Sequence, residues 1–159
     1  MNPTTPDMAA WLNRYETDFY AWTQQQAKAI RAKDVAALDI EHVAEEIDDL
    51  GVNIQHAITS QLERLLLHLL KWRYDPAQDP RRGWRVSILD ARHEIAKHLR
   101  RNPSLRDYPA GECPDAYRYA RQVAALETDL PLATFPEACP WLIEQVLDDA
   151  FLPEAEEVA

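Results

Sequence analysis

The stretch DIEHVAEEIDDLGVNIQHAITSQLERLLLHLLKWRY, Asp39 to Tyr74, decides the fold. Ile40, Val43, Ile47, Leu50, Ile54, Ile58, Leu62, Leu65, Leu69 and Trp72 recur at steps of three and four, which is the stripe of one helix face. The phase carries through Gly51 without a jump, so the spacing predicts one long helix and not two. Asp39 is its N-cap by residue type, and at 1.5 Å per residue the helix is about 50 Å long. Gly51 costs about 1 kcal/mol relative to alanine without having to break it.

On the N-terminal side, Trp11, Tyr15, Phe19, Trp22, Gln26 and Ile30 form a second stripe, with Thr17 or Asp18 able to cap a shorter version. On the C-terminal side, YDPAQDPRRG (Tyr74 to Gly83) holds two prolines and predicts a turn that folds the next helix back antiparallel. That helix carries Trp84, Ile88, Ala91, Ile95 and Leu99 and stops before Pro103. ECPDAY (Glu112 to Tyr117) and ACPWLI (Ala138 to Ile143) each read as a helix start with proline in the first turn.

The expected fold is therefore all-α: a four- to five-helix bundle with a long antiparallel helical hairpin, helix 1 packed alongside and two shorter helices closing the core. Residues 1–14 are a lead-in or the start of helix 1, 15–153 a single helical-bundle domain, and 154–159 an acidic tail. Only three glycines occur, and no Val/Ile/Thr alternation or Gly-rich phosphate loop is present, which argues against nucleotide-binding α/β folds. With 47% hydrophobic and 28% charged residues, the composition is that of a globular chain and not of a disordered one. The longest apolar run, Leu65 to Leu70, is interrupted by His68 and falls far short of a membrane span. MNPTTPDMAAW lacks the basic and apolar regions of a signal peptide, and two cysteines are too few for a disulfide framework, so the default expectation is a cytoplasmic protein.

Three constellations invite chemistry. RHEIAKH (Arg92 to His98) looks like a zinc motif, but His93 and His98 are five apart, about 140° around a helix, and cannot share one ion. The acidic start of the long helix places His42, Glu45, Glu46, Asp49 and His56 at neighbouring helical positions, and a divalent or transition metal is the alternative they raise. Di-iron bundles use two Glu-x-x-His pairs; here Asp39-x-x-His42 has no matching second pair, and acidic residues also favour a helix N-terminus by the macrodipole alone. No cofactor is predicted.

The third constellation is basic. Residues 64 to 106 hold eleven Lys or Arg and four Asp or Glu, whereas the rest of the chain holds six basic and twenty-three acidic residues. Lys71, Arg73, Arg81, Arg82, Arg85 and Arg92 form a basic patch on the hairpin that suits nucleic-acid phosphates, acidic helices of the same fold, or a partner. An overall charge of −10 weakens long-range attraction to nucleic acid, so that partner ranks below a protein. Cys113 and Cys139, each beside a proline, read as small buryable residues at helix starts, without a Cys-x-x-Cys motif.

In order, YETDFYAW, LDIEHVAEEIDDLG, LLLHLLKWRYDP, GW with the arginine-rich helix after it, NPSLR, AYRYAR, FPEACPW and LDDAFLP resemble a bacterial family, domain of unknown function family twenty-nine, over about Tyr15 to Pro153. The resemblance implies a small all-α protein and carries no established activity, substrate or catalytic residue. The function these readings favour is a non-catalytic protein-interaction or regulatory module, acting on an unidentified protein partner or by self-association. A metal-binding bundle enzyme on the acidic face and a nucleic-acid contact through the arginines are the alternatives.

Overall fold

The computed structural model describes residues 14–77 and 80–155. Among these residues there is no strand. The helices are α1 (Phe19–Ala32), α2 (Ile40–Tyr74), α3 (Arg81–Arg101), α4 (Tyr108–Thr128) and α5 (Ile143–Leu147), with short 3-10 turns at Val35–Ala37, Pro103–Leu105 and Leu132–Thr134. Trp11, the first member of the helix 1 stripe, and the last four residues of the acidic tail lie outside the described residues. No described helix is long and apolar enough to cross a membrane.

The chain divides between Val52 and Asn53 into two compact units. In the N-terminal unit, residues 14–17 are helical and Asp18 interrupts, its carboxylate accepting the N–H of Ala21 at 3.0 Å as the N-cap of α1. Of the two capping residues the sequence offered, Asp18 is the one used. The helix closes on Lys33 in the left-handed region, with Lys33 N–H on Ile30 O and Asp34 N–H on Ala29 O, a Schellman end made without glycine. Trp22, Gln26 and Ala29 form its buried face.

The long helix runs from Ile40 to Tyr74 as one element through Gly51, as the unbroken phase predicts. Asp39 caps it, with Oδ1 accepting the His42 N–H at 3.4 Å. The predicted stripe does not share one fate along its length. Ile58, Leu62, Leu65 and Leu69 are fully buried, while Ile40, Ile47 and Leu50 are more than half exposed.

The core of the C-terminal unit is built on the second half of α2. Leu65, Leu66, Leu69 and Leu70 bury two adjacent positions per turn against Ile88, Ala91 and Ile95 of α3 and Ala116, Tyr117, Ala120 and Ala124 of α4. Two walls on one helix need that wide stripe. The hairpin is antiparallel: Arg81 stacks on Trp72, Lys71 on Trp84, and Arg64 reaches Ser87, so numbers fall along α2 as they rise along α3. The two tryptophans bracket the turn as packing anchors.

Two predicted helix starts are corrected. α4 begins at Tyr108 and not at Glu112, because Pro109 already supplies the first-turn proline, and Pro114 lies inside the helix. Pro114 and Ala110, whose carbonyl loses its partner to the proline, are both exposed, so water can take the freed acceptor. The last helix does not start at Pro140. It begins at Ile143, where Gln145 Oε1 accepts the Leu142 N–H at 3.0 Å, and stops at Leu147, leaving Ala150 in a turn.

Most of the chain after α4 is irregular, and side chains from the helices hold it by its carbonyls. Tyr117 Oη donates to Pro136 O (2.9 Å), Arg121 Nε to Phe135 O (2.9 Å), Arg92 Nε to Val146 O (2.8 Å) and Trp72 Nε1 to Pro153 O (3.1 Å). These bonds satisfy backbone groups that no helix or sheet would.

Candidate functional site

The acidic and histidine residues singled out on α2 do not act as one group. His42 Nδ1 lies 2.8 Å from Asp39 Oδ2, which also accepts the Trp22 indole N–H at 3.3 Å. The Tyr15 ring covers the His42 ring at 4.1 Å, and Tyr15 Oη donates to Glu46 Oε1 at 2.6 Å. The Asp39 carboxylate raises the His42 pKa above its ordinary value, partly opposed by burial. The Glu46 hydrogen bond pushes the Tyr15 phenol up to about 12, because ionisation would set two anions face to face. Glu45, Asp49 and His56 are exposed. Among the described residues no three His, Cys, Asp or Glu side chains converge where they could hold a metal ion.

The basic patch is split as well. Lys71 pairs with Glu127 at 2.7 Å and lies over the Trp84 ring, Arg73 stacks on Tyr74, and Arg81 donates to Asp75 O at 3.3 Å while covering Trp72. Lys71 and Arg81 each reach across to a tryptophan of the facing helix and brace the hairpin, while the Arg73 ring contact stays within α2. Arg82 and Arg85 face solvent. Arg92 is buried, 3% exposed, and engages the Val146 carbonyl. On the same helix, Glu94 pairs with Lys97 at 3.1 Å.

The cysteines come together, which their positions in the chain did not announce. Cys113 in the second turn of α4 and Cys139 in the loop before α5 line one cavity of about 610 Å³. Neither stands at a helix N-terminus, so that expectation is corrected. The Cys139 thiol, half-buried, donates to Trp141 O at 3.4 Å. The Cys113 thiol, first of the causes, pulls Cys139 down to about 7 against the cost of burial, while Cys113, the more buried of the two, is pushed well up.

The model of a family described as domain of unknown function DUF29 matches residues 14–152. The chain belongs to the DUF29 family. No curated protein and no solved structure matches it.

In this DUF29 domain, then, the sequence motifs mark three local arrangements: an Asp39–His42–Tyr15–Glu46 network between α1 and α2, a braced hairpin with two free-facing arginines, and a thiol pair. A thiolate at Cys139 is a competent nucleophile near neutral pH, and the Asp39–His42 pair can hold a proton. Two features were missed from sequence. The thiol pair joins residues on different elements with no spacing rule between them. The burial of Arg92 was foreshadowed only by its place one residue after Ala91, at the edge of the core stripe.

Proposed function

We propose that the chain is a non-catalytic protein-interaction module whose binding surface is the exposed face of the first half of α2. The observation that carries this reading is the exposure of Ile47 and Leu50, 62% and 65%, on the same stripe whose continuation is fully buried. Ile40 extends the face by two turns, and exposed Glu41, Glu45, Asp48 and Asp49 stand beside it. Between Arg14 and Val52 the chain carries nine acidic and four basic residues. Apolar contact area bordered by one sign of charge selects an occupant of opposite sign, and the occupant that fits is an amphipathic helix of a partner protein with lysine or arginine flanking its apolar stripe.

A labelled Leu/Lys amphipathic helical peptide, followed by fluorescence anisotropy, tests this directly. It is expected to bind the full chain, to weaken with salt, and to lose at least about tenfold in affinity against the Ile47→Asp, Leu50→Asp double variant. A Leu/Glu peptide of the same length is expected not to bind. Equal binding of both peptides, or no loss in the double variant, overturns the reading. So does a stable dimer in sedimentation that the double variant abolishes, since the face then belongs to a second copy of the chain.

A further inference from the structure

Arg82, Arg85, Leu89 and Arg92 follow one another on α3 at steps of three, four and three, so they lie along one side of the helix. Together with Asp149 and Leu152 from the chain beyond α5, they line a cavity of about 390 Å³ that belongs wholly to the C-terminal unit. Its size is that of a small-molecule site. Two properties of its wall are unusual for a surface dent.

The first is Arg92. The residue is 3% exposed, Nε is spent on Val146 O, and Nη2, itself buried, has no hydrogen-bond partner among the described residues. A buried guanidinium with an unfilled donor is costly, and an incoming acceptor would relieve it. Burial disfavours its charge while Asp149 and Asp148 support it, and an arginine in such surroundings stays protonated. The second property is the balance of charge. Three arginines, Arg82, Arg85 and Arg92, line this cavity, Asp149 is the carboxylate in its wall with Asp148 next to it in the chain, and the rest of the wall, including Val86, Leu89 and Leu152, is apolar.

We propose that this cavity binds a small amphipathic oxyanion, a carboxylate or phosphate monoester with a short aliphatic body. Arg92 with Arg85 and Arg82 takes the head group, and the body lies against Val86, Leu89 and Leu152. Planar, multi-donor arginines suit either oxyanion, and Arg92 is held in place by its Val146 bond before any ligand arrives. Asp149 opposes an anion and sets a limit on affinity.

The test is calorimetric titration of the full chain with hexanoate, hexyl phosphate, inorganic phosphate and hexylammonium. Saturable one-to-one binding of hexanoate or hexyl phosphate is expected, the tighter of the two naming the head group, with none of hexylammonium. An Arg92 substitution also removes the Val146 contact, so the deciding variant is the exposed pair Arg82→Gln, Arg85→Gln, expected to weaken binding at least about tenfold. Asp149→Asn is expected to tighten it. The proposal is overturned if neither anion binds at millimolar concentration, if the double variant binds as the parent does, or if inorganic phosphate binds as tightly as hexyl phosphate.

Discussion

Cys113, buried on α4, and Cys139, half-buried in the loop before α5, line the wall of one cavity, where the Cys113 thiol lowers the pKa of Cys139 while its own is raised. The consequence is a large difference in reactivity between two cysteines of one small chain. Alkylation of Cys139 by iodoacetamide is expected to rise through about pH 7, below the ordinary thiol range of about 8.5. Cys113, 8% exposed and held protonated, is expected to label only on unfolding. In Cys113→Ala that thiol is gone, and the Cys139 profile should move back toward ordinary thiol values. Peptide mass spectrometry after labelling across pH checks all three; equal rates at the two cysteines would contradict the arrangement.

The two histidines with displaced pKa values should act on stability in opposite senses. His42 is raised, chiefly by Asp39, so its contribution is fully present below its unfolded value of about 6.5 and is lost as pH rises through the higher folded value. His68 is lowered, chiefly by burial, so the folded state favours the neutral ring; its contribution is present above about 6.5 and is lost as pH falls toward the lower folded value. Accordingly, His42→Gln should cost more near pH 5.5 than near pH 8, and His68→Gln the reverse. Urea midpoints of both variants across that range decide the matter, and a constant difference from wild type for either would refute its assignment.

The continuity of α2 has a cost that a single substitution can remove. A Cβ built on Gly51 meets nothing within 4 Å, and no glycine has a positive φ. Gly51→Ala is therefore expected to stabilise by about 0.5–1 kcal/mol, a few degrees in Tm, through the loss of backbone freedom in the unfolded chain. Gly83 and Gly111 have equal space but lie within the first four residues of α3 and α4, where helix propensity weighs less, so alanine there should gain less. Thermal melts of the three variants give the order; a destabilising Gly51→Ala would mean that the helix needs its freedom at that point.

Helix periodicity made α2 and the end of α3 legible almost to the residue, because propensity, capping and proline stops agree there: Asp39, Tyr74 and Pro103 mark real boundaries, whereas α3 starts at Arg81, inside the stretch read as a turn. The segment after α4 was harder, since what orders it are bonds from Arg92, Tyr117 and Arg121 to distant carbonyls, and no local pattern encodes those. The Asp39–His42 contact was visible as an i, i+3 pair, whereas Tyr15 reaching Glu46 crosses from one element to the next. Positive charge was visible along α3, but its division between braces and a cavity depends on which residues face the core. Arg82 and Arg92 share a stripe, yet one is exposed and the other buried.

The sharpest instance is a pair of leucines on one stripe. Leu50 and Leu69 belong to one run of apolar steps of three and four, at its two edges about 100° apart around α2, yet Leu50 is 65% exposed and Leu69 fully buried. Periodicity assigns a face to each and cannot say whether anything covers it. Truncating Leu69 to alanine removes packed methyl groups from among Leu65, Leu66 and their partners, and should cost about 2–5 kcal/mol. Truncating Leu50 should cost less than about 0.5 kcal/mol in the isolated chain. Denaturant unfolding of the two variants under identical conditions measures both. A loss at Leu50 that equals the loss at Leu69 would mean that Leu50 is covered in solution, and the face proposed for a partner helix would not be free to receive one.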